Sequence, residues 1–172
     1  MRVPKNYQTL FGATVPTVQT GVGGFRILAF YFDVSLPGWV VGARYFRNGA
    51  NITPVIAWLF DASNGVFVRG SVMFKIKTST GNVPDRWEHA YFHPRIPLVV
   101  GNVYQLCVWT RGVFNYKFVG TVAAGDYVSG PLRIFNTATV GGNGTTTTLL
   151  SGSPTTSMAG DVGAIDLLYL VP

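Results

Sequence analysis

Charge is scarce in this chain: Asp, Glu, Lys and Arg make up 12% of its 172 residues, about half their share in an average soluble domain. Only seven are acids, at Asp33, Asp61, Asp85, Glu88, Asp126, Asp161 and Asp166. Glycoside hydrolysis needs two carboxyls about 5 to 9.5 Å apart across a cleft, and seven scattered acids offer few pairs. Asp33 and Asp61 each stand at the end of an expected strand, yet both are beside turns, where Asp commonly bonds backbone amides. Histidine is as rare. His89 and His93 form, with Glu88, the one metal-like cluster in the sequence. On an extended strand His89, Tyr91 and His93 share one face and Glu88 takes the other, with the two rings about 13 Å apart, too far to share one ion. The single cysteine, Cys107, excludes an intrachain disulfide. It sits in the apolar run Val103 to Trp109, where cysteine behaves as a small buried hydrophobe, and no base or oxyanion site is signalled beside it. These shortages lead us to expect no enzyme, no catalytic residue, no metal and no cofactor.

Long apolar runs are missing too. No stretch reaches the length of about eighteen residues that a membrane helix needs, and Met1 to Tyr7 contains no apolar h-region. We therefore expect no membrane span, no signal peptide, and synthesis in a cytoplasm. The net charge of +6 reflects thirteen Lys and Arg against seven acids, so it stems from scarce acids more than abundant bases. The cations are spread along the chain, whereas a nucleic-acid surface clusters them; no specific nucleic-acid partner is expected. Lys75-Ile-Lys77, the densest local set, reads as edge protection on a strand.

What the chain does have is apolar, aromatic and turn-forming. Runs of five to ten residues rich in Val, Ile, Phe, Tyr and Trp recur between 21 Gly and 10 Pro, which leaves little room for a helix of three turns. At 172 residues the chain reads as one domain that buries roughly 70% of its unfolded surface. The spacing predicts strands at Gly24 to Val34, Trp39 to Arg47, Thr53 to Asp61, Val66 to Lys77, Arg86 to Phe92, Asn102 to Thr110, Tyr116 to Val119, Leu132 to Phe135 and Ala164 to Leu170. About nine strands with regular turn signals predict an all-β fold with little or no helix, an antiparallel two-sheet sandwich of jelly-roll type. Residues 24–172 form that domain; residues 1–23 read as an N-terminal arm or edge segment, because Thr14 to Gly21 lacks sustained alternation and carries Pro16. Thr78 to Pro84 and Thr137 to Ser157 read as loops, the second with room for a short hairpin. The sequons at Asn51 and Asn143 read as turn residues.

Tryptophan and tyrosine supply the candidate contact sites. Trp58 and Trp109, flanked by Leu, Phe, Val and Cys, read as core. Trp39, which follows Pro37-Gly38, and Trp87, beside Arg86, read as partly exposed. With His89, Tyr91, His93 and Tyr116 they are the residues expected to touch a ligand or partner, since aromatic side chains serve both cores and interfaces.

Several of these stretches, in order, resemble a known family. Leu10-Phe-Gly-Ala-Thr-Val-Pro16, the strand from Gly38 to Phe46 with its Gly-x-x-x-Gly-x-Arg pattern, Val55 to Val68, Arg86-Trp-Glu-His-Ala-Tyr-Phe-His-Pro94, Gly101 to Tyr104, Gly130-Pro-Leu132, Pro154 to Ser157 and Ile165 to Tyr169 together resemble bacterial domain-of-unknown-function family 4082. Ala43 stands where that family usually has Ile or Val, and His93 to Pro97 looks like a small insertion. The resemblance implies a β-sandwich module with no catalytic residues. In the form met in tailed bacteriophages of actinobacteria, it implies a virion part, a minor tail or capsid-decorating protein in contact with other virion proteins. Symmetric assembly as a homo-oligomer, a trimer first of all, and contact with a host cell-surface glycan are the partnerships to expect. The alternative is a carbohydrate-binding module for cell-wall or surface glycans.

Overall fold

Runs of β-branched and aromatic residues, each closed by Gly, Pro, Asn or Asp, become strands throughout the computed structural model. It describes residues 7–16, 18–21, 25–47, 55–64, 66–68, 74–76, 85–111, 114–122, 127–141, 160–163 and 165–172, in several strands by backbone alone. In chain order the strands are β1 (Val18–Gly21), β2 (Phe25–Val34), β3 (Gly38–Arg47), β4 (Val55–Asp61), β5 (Val66–Phe67), β6 (Phe74–Ile76), β7 (Arg86–Leu98), β8 (Tyr104–Arg111), β9 (Phe114–Val122), β10 (Tyr127–Ser129), β11 (Leu132–Gly141), β12 (Gly160–Gly163) and β13 (Ile165–Leu170). Every pairing is antiparallel. Among the described residues no element is a helix, so none is long and apolar enough to cross a membrane.

The larger sheet runs β10-β11-β2-β8-β4, with β5 and β6 both on the far edge of β4. The smaller runs β13-β3-β7, and β1-β9-β12 form a third ladder. One hydrophobic cluster draws on both of the first two sheets: Phe30, Phe32, Leu59, Leu106 and Ile134 from the larger, Val40, Ala43, Tyr45, Ile96 and Leu167 from the smaller. Period-two alternation decides who enters it. Along β8, Tyr104, Leu106 and Val108 join the cluster, while Gln105 and Cys107 between them are buried on the other face. Trp58 is buried, as its neighbours suggest.

Where strands differ from expectation, the reason is local. A ladder continued from Phe60↔Phe67 would set residue 70 opposite Ala57, but Phe74 stands there, so Val66 to Lys77 is two short pieces rather than one strand. β10 is too short to show a period; it exists because Gly130, at φ 58°, and Pro131 turn the chain in two residues from Ser129 to its partner Leu132. β7 runs on to Leu98 through a wide bulge. Val40 faces Ile96 and Gly42 faces Tyr91, so Phe92 to Arg95 oppose Val41 alone. Phe92 turns into the core while His93, Pro94 and Arg95 are exposed. Thr137 to Gly141, expected as the start of a loop, continue β11 in pairing with β2, while the Thr78 to Pro84 loop, both sequons and residues 142–157 of the second expected loop, with its expected hairpin, lie outside the described residues.

The bulge explains Gly42. A Cβ there would collide with the Ala90 carbonyl oxygen, backbone that cannot step aside, and one at Gly38 would meet the Leu170 carbonyl and the Tyr169 ring. Gly42→Ala is expected to cost about 1–3 kcal/mol, read as a drop of several degrees in the calorimetric midpoint. Val128→Thr, at a site 60% exposed, is expected to leave that midpoint almost unchanged.

Candidate functional site

β13, β3 and β7 lie side by side in a register that sets Asp166 opposite Arg44 and Arg44 opposite His89. The neighbouring rows on the same face are Phe46 with Trp87, and Leu168 with Gly42 and Tyr91. The opposite face holds Ala43, Ala90 and Leu167, which belong to the core. Two opposite charges thus stand on the outward face of an apolar sheet, and any segment that covers them has to supply hydrogen bonds in place of water.

The N-terminal segment does so. Gln8 forms an antiparallel bridge with Tyr169, its N–H donating to the Tyr169 carbonyl at 2.6 Å and its carbonyl accepting from the Tyr169 N–H at 2.9 Å. Leu10 and Phe11 follow, 2% and 3% exposed. Phe11 stacks on Tyr127 with ring centroids 5.6 Å apart. The Tyr127 hydroxyl donates to the Leu10 carbonyl and the Ser129 hydroxyl to the Thr9 carbonyl. A turn at Gly12, φ 54°, closes with the Thr14 N–H donating to the Phe11 carbonyl. Of the expected arm, these residues pack against the domain and span from the β13 edge of the smaller sheet to the β10 hairpin of the larger.

Asp166 is the anchor. Its Oδ1 accepts from the N–H groups of Leu10 (2.9 Å) and Leu167 (2.7 Å), and its Oδ2 from the Phe11 N–H (3.1 Å), Arg44 Nε (3.1 Å) and Arg44 Nη2 (2.6 Å). Burial pushes the carboxyl above its ordinary value, and Arg44 with the Leu10 and Phe11 amides pulls it back. Because both oxygens already face donors, a proton has no vacant place, and we read the group as ionised. Arg44 in turn donates from Nη2 to the Gly12 carbonyl at 2.6 Å and lies 4.1 Å above the Trp87 ring. The Trp87 Nε1–H donates to the Thr14 carbonyl at 3.2 Å, and Phe46 meets its ring edge-on at 5.4 Å.

Three of the candidate residues therefore share one face of β7. Trp87 is part of the anchor, half-buried His89 flanks Arg44, and exposed Tyr91 follows. Burial first, and then the Arg44 charge, lower the pKa of His89; burial and then Tyr7, which hydrogen-bonds to it, raise that of Tyr91. His93 is apart in the bulge, and Trp39, half-buried between Pro97 and Leu170, lies toward the other end of β3. Tyr116 is on β9 opposite Gln19, and its side chain lies outside the described residues, as does that of Trp109.

Arg44 and Asp166 were legible as a pair only through one signal: each is a charge in the middle of a largely apolar strand, and the two have opposite sign. A second such pair lies on the inward face, where Glu88 Oε1 accepts from Arg47 Nη1 at 3.1 Å and Arg86 Nη2 at 3.2 Å. Glu88 thus points away from His89, as alternation requires. Asp33 bonds Arg133 across β2 and β11, and Asp61 caps its own turn, accepting from the Ser63 and Asn64 amides. Cys107 is buried, its thiol pushed well up by desolvation and directed at Gln105 Oε1. Among the described residues no three His, Cys, Asp or Glu stand close enough to hold a metal ion. No family model matches the chain, and no curated protein matches it.

Breaking the anchor leaves a buried charge unpaired. Asp166→Asn is expected to cost about 3–5 kcal/mol in chemical denaturation, and the double replacement Arg44→Met with Asp166→Leu less than that single change. The His89 shift has a sign as well. Its folded pKa lies below the ordinary 6.5, so its contribution to stability is complete above that pH and is lost as pH falls toward the folded value. The fall in unfolding midpoint between about pH 7.5 and 5.5 is expected to be smaller in His89→Gln than in the parent chain.

Proposed function

We propose that this chain is a non-enzymatic structural protein of a bacteriophage virion, related to the β-sandwich modules its motifs resemble. The observation that carries the non-enzymatic reading is the use made of its scarce acids. Asp33, Asp61, Glu88 and Asp166 are each bound to a cation or a backbone amide that holds the fold, and in a hydrolase such groups would be kept for substrate. A two-sheet sandwich of jelly-roll type is supported by the single core that both sheets share.

An assembly role is supported by the apolar turns at one end. Gly38 pairs with Leu98, so the turns just beyond them are neighbours, and they carry Leu36 (50% exposed), Val99 (60%) and Val100 (48%). Apolar side chains gathered at loop tips suit contact with another protein. In this reading the chain is made in the host cytoplasm, joins the particle as a minor tail or capsid-decorating component, and meets other virion proteins as a trimer. The carbohydrate-binding alternative draws on half-buried Trp39 beside the same turns. Trp87 suits it less, because its N–H is occupied by Thr14 and one ring face by Arg44.

Mass spectrometry of gradient-purified particles tests the proposal: the chain is expected in the particle fraction, and its recovery solely outside particles would overturn the reading. On light scattering the purified chain is expected at three times its 18.6 kDa mass. Binding to a glycan array that disappears in a folded Trp39→Ala variant would instead favour the carbohydrate-binding module.

A further inference from the structure

We propose that residues 7–16 form an acid-sensitive strap, seated over the outward face of the smaller sheet while His89 is neutral and released from it when His89 is protonated.

His89 stands inside the frame that the segment builds on β7. Trp87 and Tyr91 flank it on the same face of the strand. The Trp87 Nε1–H donates to the Thr14 carbonyl, and Tyr91 is hydrogen-bonded to Tyr7, so the segment touches β7 on both sides of His89. Across the ladder His89 faces Arg44, and Arg44 faces Asp166. Those two neighbours hold the middle of the segment: Arg44 takes the Gly12 carbonyl, and Asp166 takes the Leu10 and Phe11 amides.

A proton on His89 therefore arrives beside a fixed cation. Among the described residues, β3 presents Arg44 to it, β13 presents Asp166 beyond Arg44, and the segment presents Tyr7. On its own strand Tyr91 is next along the face, Arg86 and Glu88 are paired on the other face, and His93 stands in the exposed bulge. Asp85 shares the face of His89 but lies about 13 Å along the chain. β6, beside β7, contributes Lys75. Asp166 is thus the nearest acid by register, and both its oxygens already face Arg44 and backbone amides.

An imidazolium held half-buried next to a guanidinium is short of water and repelled by its neighbour. Lifting the segment relieves both, because it lets water reach the row. With the segment seated, burial first and then Arg44 hold the His89 pKa below 6.5. The open arrangement therefore binds the proton more readily, and acid shifts the balance toward it below that pH; above it the seated segment is favoured in full. The two sheets need not part for this. β13, β3 and β7 pair with one another and β10 with β11, all without the segment. The opening is bounded at one end by β1, whose pairing with β9 begins at Val18.

Hydrogen exchange of the whole chain, read amide by amide by NMR and corrected for the intrinsic pH dependence of exchange, tests the strap between about pH 7.5 and 5.5. Protection of the Leu10 and Phe11 amides is expected to fall severalfold across that interval, while the amides of the central strands β2 and β8 keep theirs. His89→Gln is expected to abolish the fall, and His93→Gln, at an exposed site in the bulge, to leave it as in the parent chain. Unchanged protection of Leu10 and Phe11 in the parent would overturn the strap, as would an equal loss throughout β2 and β8 or a fall that depends on His93. A fall that survives in His89→Gln would overturn it too, by assigning the sensitivity to Asp166.

Discussion

Much of this structure depends on a single buried carboxylate. Asp166 has no solvent exposure, and its two oxygens take hydrogen bonds from β13 itself, from Arg44 on β3 and from two amides of the N-terminal segment. An anion taken out of water must recover its hydration from fixed donors, so the three elements have to arrive together. Arg44 extends the constraint to β7 through the Trp87 ring and to the Gly12 turn. The outward face of the smaller sheet is therefore closed by a polar anchor ringed with apolar and aromatic side chains.

Such an anchor specifies register more than it adds stability. A one-residue slip of β13 against β3 would send Asp166 to the inward face, away from the Arg44 guanidinium, while the apolar residues around it would lose comparatively little by exchanging faces. β3 needs that discipline because both its faces are buried. Outward it pairs Arg44 with Asp166, and inward it pairs Arg47 with Glu88. The bulge of β7 against Val41 lies to one side of both pairs and shifts the ladder where Gly42 lets the Ala90 backbone come close. Two arginines on opposite faces, each paired with an acid of a neighbouring strand, thus hold β3 in one rotation about its axis.

This economy bears on function. Of the seven acids, Asp33, Asp61, Glu88 and Asp166 each hold a cation or a backbone amide of the fold. Among the described residues, the turns beyond Gly38 and Leu98 expose Leu36, Val99 and Val100, which in the proposed role suit contact with protein neighbours.

The all-β class, the absence of helix among the described residues, the main strands and the burial of Trp58 and Cys107 were legible in the sequence, because each follows from short-range spacing of apolar and turn residues. So was the opposition of Glu88 and His89, which alternation along one strand dictates. β10 and the two short pieces opposite β4 were not, since a strand of two or three residues carries no period to read. The stretches Leu10 to Gly12, Gly38 to Phe46, Arg86 to Pro94 and Ile165 to Tyr169 stood out in the sequence as separate motifs. Only the tertiary structure brings Leu10, Arg44, Trp87 and Asp166 to one place, because their meeting depends on pairings across as many as 156 positions of chain and on the burial of charge. Local composition determined the longer strands; only the tertiary structure decided that β13, β3 and the N-terminal segment meet around one carboxylate, because burying it demands donors from all three.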